Sequence, residues 1–139
     1  MNRTEFCEMM AQAKKESGVT TSELSFTLRM LVGTLRRLEK GVHNFSVEKT
    51  VEYLNVLNAE LCLEKEGEES HSIKNYDSFI EWLANARAGQ YTQRSLATEL
   101  GCSYVAIANI ERKKSIISID TFLKLMDVLG YTIKITSRL

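Results

Sequence analysis

Apolar residues recur every three or four positions through most of the chain, a spacing that predicts amphipathic helices. In the second half, a first helix is marked by four apolar positions and ends near Gly89: Phe79, Trp82, Leu83 and Ala86. Three further helix starts follow, each at a hydroxyl residue able to cap a helix N-terminus: Thr92, Ser103 and Ser118. Gly101 and Gly130 are suited to end helices in the left-handed conformation.

The first half has the same pattern 72 positions earlier. Thr20 corresponds to Thr92, and the glutamate three positions after Thr20 has capping-box spacing. Without a gap, the same offset aligns the following pairs: Leu28 with Leu100, Leu35 with Ile107, Leu38 with Ile110, Glu39 with Glu111, and Ser46 with Ser118. We interpret the chain as two repeats of one unit.

Each unit ends in an alternation of apolar and polar residues that predicts a short strand, at residues 59–63 and 131–135. Between the units lies a polar, acidic stretch for which we expect an exposed linker. The predicted domains are residues 1–63 (the first unit), an acidic linker at 64–76, and residues 77–139 (the second unit). The predicted fold is mainly α, two tandem helical bundles that each end in a strand.

The second unit resembles the XRE-type helix-turn-helix family of Cro and the phage repressors. The resemblance rests on Thr92-Gln93, Leu96-Ala97, Leu100-Gly101, Ser103, and the run from Ile107 to Arg112. It covers about residues 78–135, and a weaker version covers residues 5–63. It implies sequence-specific binding of double-stranded DNA, with the helix after Ser103 in the major groove.

The resemblance also implies which residues contact DNA. Thr92, Gln93 and the nearby amides are expected at a phosphate, and so are the basic residues that follow the recognition helix: Arg112, Lys113 and Lys114. Base-edge contacts are expected from the outer face of that helix, at Tyr104, Val105, Ala106 and Asn109, and its capping residue Ser103 is a further candidate DNA contact. Glu111 is expected to form a structural pair with Arg87, and Glu39 with Lys15.

The first unit departs from the family pattern at Thr21, Arg29 and Leu31, where the family has Gln, Gly and Ser. Gly33 also lies inside its recognition helix. The candidate DNA contacts are Thr21, Val32, Thr34, Arg36, Arg37 and Lys40. Either this unit reads a different half-site, with arginine recognising guanine, or it retains phosphate contacts only.

Composition refines this interpretation. The chain has 18 basic and 18 acidic residues, but the basic excess lies beyond residue 72, which favours the second unit as the DNA reader. Cys7, Cys62 and Cys102 are too scattered for a disulfide framework or a zinc site, and we expect three buried thiols in a reducing cytoplasm. No cofactor, membrane segment or enzymatic motif is expected, and His43 is interpreted as a surface residue.

Two questions of assembly and function stay open at this stage. The terminal strands resemble those of antitoxin-type members, which pair across a dimer axis. They are expected to pair either within one chain, as a pseudo-dimer with Leu61 opposite Ile133 and Glu60 opposite Lys134, or between two chains of a homodimer. The leading function is sequence-specific binding of double-stranded DNA by a transcriptional regulator or repressor. The autoregulating antitoxin, with a toxin or other protein partner, is one subtype of that function. The alternative is a protein-interaction module with a degenerate helix-turn-helix.

Overall fold

The computed structural model describes residues 1–138, so Leu139, the end of the predicted second domain, lies outside the described residues. The described chain is mainly helical with one small antiparallel sheet. Its elements are α1 (Arg3–Ser17), α2 (Thr21–Leu28), α3 (Val32–Lys40), α4 (Val47–Val56), β1 (Ala59–Glu64), β2 (His71–Ile73), α5 (Tyr76–Ala88), α6 (Gln93–Leu100), α7 (Tyr104–Glu111), α8 (Ile119–Leu129) and β3 (Thr132–Ser137).

Short polar side chains start the helices, as the sequence predicts. The Thr92 hydroxyl accepts a hydrogen bond from the Ser95 amide at 3.0 Å, and the Ser118 hydroxyl accepts one from the Thr121 amide at 3.3 Å. Thr20 caps α2 in the same way. The Glu23 carboxylate accepts a hydrogen bond from the Thr20 hydroxyl and not from the Thr20 backbone amide. These caps supply partners for amides that have none within the helix.

Both units contain four helices followed by a strand, with one difference in spacing. From Thr20 and Thr92 onward the offset is 72 residues, but Asn2 and Asn75 cap α1 and α5 at an offset of 73. The buried faces of these two helices keep the offset of 73, with Phe6 matching Phe79 and Met10 matching Leu83. The second unit therefore has one residue fewer between the caps of its first two helices, because α5 is two residues shorter than α1 and the loop that follows it is one residue longer.

The two terminal strands pair antiparallel within the chain, but the predicted register is wrong. Leu61 lies opposite Ile135 and Leu63 opposite Ile133, two residues away from the expected pairing. This register sets two leucines directly against two isoleucines on one face. It also leaves Tyr131 outside the strand, where its ring packs edge-on against Trp82 at 5.0 Å.

Charged side chains follow the same shift in register. Lys134 does not lie opposite Glu60. The Lys134 ammonium contacts the Glu64 carboxylate at 2.8 Å, and the Arg138 guanidinium reaches Glu60 at 3.1 Å. Because the Lys134–Glu64 pair is about half exposed, it contributes little to stability, and the apolar pairs have the larger part in setting the register.

A second correction concerns residues 71–73, which were expected to belong to an exposed linker. They form β2, which pairs with β1 so that the sheet order is β2-β1-β3. Ile73 is buried, and the His71 ring stacks on Trp82 at 4.7 Å with the planes nearly parallel. A three-residue strand with one large apolar side chain is too short to give a period-two signal in the sequence.

The two units also meet at the loops that precede α4 and α8. Ser46 and Ser118 form an isolated antiparallel bridge. The Val47 amide donates to the Ile117 carbonyl at 3.0 Å, and the Ile119 amide donates to the Phe45 carbonyl at 2.7 Å. The buried side chains of both units form one continuous core, so the units are packed against each other.

Two of the three cysteines are buried as expected, and the third is not. Cys7 and Cys62 lie in the interior, whereas Cys102 is exposed. Cys102 follows Gly101 in the turn between α6 and α7, where the chain reverses at the surface. The prediction of a buried thiol is therefore wrong for Cys102.

Candidate nucleic-acid interface

The helix-turn-helix of the second unit consists of α6, a three-residue turn and α7. Gly101 adopts a left-handed conformation with φ of 70°, which costs glycine nothing and lets the chain turn sharply. Leu96 and Ala97 of α6 are buried together with Ile107 and Ile110 of α7. Burial of these faces fixes the angle between the helices and leaves the opposite face of α7 in solvent.

That outer face of α7 carries most of the predicted base-reading side chains. Tyr104 and Val105 are exposed, with 41% and 48% of their surface accessible, and Ala106 and Asn109 are half-buried. Ser103 is exposed, and its hydroxyl caps α7 by accepting from the Ala106 amide at 3.3 Å. The structure thus brings these five residues to one surface, as the sequence predicts.

A half-buried ion pair holds α7 against α5. The Arg87 guanidinium donates to both carboxylate oxygens of Glu111, at 2.9 and 2.7 Å, which confirms the predicted pair. Although burial raises the pKa of Glu111, the hydrogen bonds from Arg87 and Gln93 outweigh it and hold that pKa below its ordinary value. The carboxylate accepts three hydrogen bonds, two of them in a bidentate pair with one guanidinium, which is typical of a structural ion pair.

Gln93, predicted to contact phosphate, is already engaged in this network. Its side-chain amide donates to Glu111 at 3.0 Å, and the residue is half-buried. The amide keeps a second N–H, and the first backbone N–H groups of α6 have no partner within the helix. Contact with a phosphate at this position therefore stays a prediction. It rests on the N-terminus of α6 and on Thr92, the residue that caps this helix.

Arg94 of α6 is a candidate DNA contact that was not among the residues predicted from the sequence. Its guanidinium lies over the Tyr104 ring at 4.0 Å, a distance typical of a cation–π interaction. Arg94, Tyr104, Thr92 and Gln93 all line one open groove at the start of α6. A basic residue in the first turn of α6 was the only sequence signal, and the ten-residue separation from Tyr104 hid the contact.

The three basic residues after α7 differ in their surroundings. Arg112 and Lys114 are exposed. Lys113 has a left-handed backbone with φ of 62°, and its ammonium lies 3.3 Å from the Glu81 carboxylate of α5. A phosphate contact by Lys113 must compete with this exposed pair, so Arg112 and Lys114 are the stronger candidates.

In the first unit, a comparable network forms around Glu39, with one correction. Lys14, and not Lys15, contacts the Glu39 carboxylate, at 3.0 Å, because the offset of the first helices is 73 residues. Lys14 also donates to the hydroxyl of Thr21 at 2.7 Å, and the Tyr53 hydroxyl donates to Glu39 at 2.7 Å. Thr21 is therefore engaged with the ion pair, much as Gln93 is.

The turn and recognition helix of the first unit lack the features that define the second. Arg29 takes the left-handed position with φ of 54°, where a side chain is strained. Leu31 starts α3 without a side-chain cap. The candidate contacts on α3 are nevertheless all exposed: Val32, Thr34, Arg36, Arg37 and Lys40.

Neither a metal site nor a membrane-spanning helix is present in the part of the chain that the structure describes. Within residues 1–138, no group of three or more His, Cys, Asp or Glu side chains is placed to hold a metal ion. No helix in that range is long and apolar enough to cross a membrane. His43 is exposed, beside Arg37 and Lys49.

Comparison with known proteins supports the assignment of the second unit. A family model described as Helix-turn-helix matches residues 83–135, which run from the last part of α5 into β3. The matched segment contains α6, the turn and α7, with every DNA contact predicted in the second unit, and it does not include the first unit. No curated protein and no solved structure matches the chain.

Proposed function

We propose that the protein is a transcriptional regulator that binds double-stranded DNA in a sequence-specific manner and inserts α7 into the major groove. The observation that carries this proposal is the outer face of α7, which carries the exposed Tyr104 and Val105 and the half-buried Asn109 within the segment that matches the helix-turn-helix family. Asparagine can bond bidentately to adenine, and small apolar side chains suit thymine methyl groups.

Phosphate contacts position the helix in this proposal. The amide end of α6 with Thr92 and Gln93 meets one phosphate, since helix N-termini attract anions. Arg112 and Lys114 follow α7 and contact the opposite side of the groove. These contacts fix register and orientation, while the side chains of α7 provide sequence preference.

The proposal is tested by selecting bound sequences from a random duplex pool and measuring affinity over a salt series by fluorescence anisotropy. We expect an enriched motif and an affinity that falls steeply with salt, because bound phosphates release counterions. Undetectable binding at low salt would contradict the proposal. That result would favour the alternative, a protein-interaction module whose helix-turn-helix no longer reads bases.

We further propose that the chain is a tandem repeat that forms its own pseudo-dimer. The support is that two contacts between the units join residues 72 positions apart: Ser46 with Ser118, and Cys62 with Lys134. Equivalent residues of two copies meet in this way only on a two-fold axis. Since a two-fold rotation leaves height along its axis unchanged, this arrangement sets α3 and α7 at the same height along that axis.

Light scattering on the purified protein separates the two modes of assembly. A monomer is the result expected for the pseudo-dimer. A stable homodimer whose assembly is abolished by a proline in β3 would support pairing of strands between chains instead, because proline removes a ladder hydrogen bond.

The finer role, an autoregulating repressor of the antitoxin type with a toxin partner, rests on the resemblance of the strand-ended units. A reporter driven by the gene's own upstream DNA tests it. Repression that is lost with substitutions on α7 and strengthened by a protein encoded beside it is the expected result. A reporter unaffected by the protein would contradict autoregulation.

A further inference from the structure

The first unit exposes large apolar side chains beside its helix-turn-helix. Phe26 in α2 is 86% exposed and Leu31 at the start of α3 is 80% exposed, more than any other large apolar side chain in residues 1–138. Together with the exposed Val32 they form the Phe26 patch (Phe26, Leu31 and Val32). At the same positions 72 residues later, the second unit has Thr98, Ser103 and Tyr104.

The Phe26 patch is poorly suited to DNA. At the start of α7, Ser103 caps the helix, whereas Leu31 provides no cap for α3 and has no group that can bond to a phosphate. The sugar–phosphate backbone cannot cover a phenyl ring that stands almost wholly in solvent. Clustered apolar side chains of this kind mark sites of protein–protein contact.

A cleft of about 280 Å³ is lined in part by Met30 and Thr34, which flank Leu31 and Val32 in the sequence. Its apolar lining comes from Met30, Leu38 and Phe45, and it can take one side chain of a partner, as the central pockets of interfaces do. Three basic side chains also line it, where the second unit has neutral residues at the equivalent positions: Arg37, His43 and Lys49, matched by Asn109, Ser115 and Thr121.

Positive charge continues from the cleft around the patch. Arg29 and Arg36 are exposed, and Arg36 lies one helical turn beyond Val32 on the same side of α3. The Arg37 guanidinium folds back along α3 to within 3.4 Å of the Thr34 hydroxyl. An apolar surface with a cationic rim is complementary to an apolar segment with carboxylates at its edges.

We propose that the first unit docks a segment of another protein that carries apolar side chains flanked by acidic residues. One apolar side chain enters the Met30–Phe45 cleft, others cover Phe26 and Leu31, and carboxylates meet Arg29, Arg36 and Arg37. A second copy of the chain does not fit, because a symmetric contact would place the same arginines against each other. The proposal goes beyond DNA binding by α7 and divides the work between the two units.

Peptide display on the intact protein tests this proposal with defined probes. We expect enriched peptides in which two or three large apolar residues are flanked by Asp or Glu. The matched probe replaces their acidic residues with Lys, and its binding is expected to be at least about tenfold weaker. Failure to enrich any such peptide would overturn the proposal.

The variant Phe26→Thr/Leu31→Ser gives the first unit the residues of the second. It should weaken peptide binding by about tenfold or more, as truncation of interface anchors does. The control Ile116→Thr removes another exposed apolar side chain, 55% accessible, from the second unit and should change peptide binding less than about twofold. Equal losses in both variants would overturn the assignment of the patch.

Duplex binding is measured on the same proteins. If Phe26→Thr/Leu31→Ser weakens binding to every duplex and leaves the peptide unaffected, the patch contacts DNA and the proposal is wrong. Failure of the proposed function has a different signature. In that case no duplex binds at low salt, while the selected peptide still binds in a manner that depends on Phe26 and Leu31.

Discussion

The two units of this protein have the same order of helices but very different outer surfaces. In both, a half-buried glutamate at the end of the recognition helix pairs with a basic residue of the first helix: Glu111 with Arg87, and Glu39 with Lys14. The turn is strained in the first unit and relaxed in the second, where glycine takes the left-handed position. The comparison teaches that interior contacts maintain the helical arrangement while the outer face of the recognition helix is free to change.

The largest expected effect tests the shared interior contact. Glu111→Ala leaves the half-buried Arg87 without its carboxylate partner and should lower the free energy of unfolding by about 3 kcal/mol. Denaturant titration followed by the fluorescence of Trp82, the only tryptophan, measures it. The control Glu81→Ala removes an exposed partner, 70% accessible, and should cost less than about 0.5 kcal/mol. A loss below about 1 kcal/mol for Glu111→Ala would show that desolvation cancels the pair.

The next effect distinguishes the two recognition helices. Asn109→Ala should relax sequence preference at one base pair by about 1–3 kcal/mol, measured by anisotropy on duplexes with single base changes. Arg37 occupies the equivalent position in α3. Arg37→Ala should weaken binding about equally on all sequences and reduce the salt slope by about 1 at most. If Arg37→Ala instead relaxes preference at one base pair, the first unit reads a half-site of its own.

A third pair of variants tests strain in the turns. Gly101→Ala should cost about 1.5 kcal/mol of unfolding free energy, entirely from the left-handed backbone, because an added Cβ would meet nothing within 4 Å. Arg29→Gly should gain about 0.5 kcal/mol, since the relief of strain is partly offset by the entropy of glycine. Destabilisation by Arg29→Gly would mean that the arginine side chain makes contacts more valuable than the strain it imposes.

A fourth pair exchanges the helix caps. Ser103→Ala removes the cap of α7 and should cost about 0.5–1 kcal/mol. Leu31→Ser supplies the missing cap to α3 and should gain up to about 0.5 kcal/mol in the same denaturant titration. Leu31→Ala is the control, because it shortens the side chain without adding a hydroxyl. Equal stability of the serine and alanine variants would exclude a capping effect.

The smallest expected effect is the pH dependence of stability that arises from His71, whose ring stacks on Trp82. Burial lowers the pKa of His71 below its ordinary value. The folded state therefore binds fewer protons than the unfolded state, and stability should be greatest above about pH 6.5 and decline below it. His71→Phe keeps a ring on Trp82 and should flatten this decline between pH 7.5 and 5. An unchanged pH profile in His71→Phe would assign the decline to other groups.

Much of the helical arrangement was predictable because its signals are local. Thr92 and Ser103 act within four residues of themselves, and Gly101 needs no distant partner to adopt its conformation. The pair between Arg87 and Glu111 was predictable from the family resemblance. Its counterpart was misassigned to Lys15, because the second unit has one residue fewer between the caps of its first two helices, which makes the offset of the first helices 73.

The candidate site was predictable in its position and incomplete in its chemistry. The spacing of Ile107 and Ile110 determined which face of α7 would be buried, and so placed Tyr104 and Asn109 outside. It said nothing of Arg94, whose contact with Tyr104 depends on the angle between two helices. It also left open whether Leu31 and Phe26 would be buried or exposed, and their exposure underlies the docking surface proposed for the first unit.

The sequence by itself determined where helices start and stop and which of their faces are apolar, because caps, turns and periodicity act over a few residues. Only the tertiary structure decided the pairing of β1 with β3, the existence of β2 and the bridge between Ser46 and Ser118. Those contacts join distant segments, and a shift of two residues keeps the same side chains on the same face. Packing of the whole core selects one of these registers. The rings of Tyr131, Trp82 and His71 contribute to this packing from three separate segments of the chain.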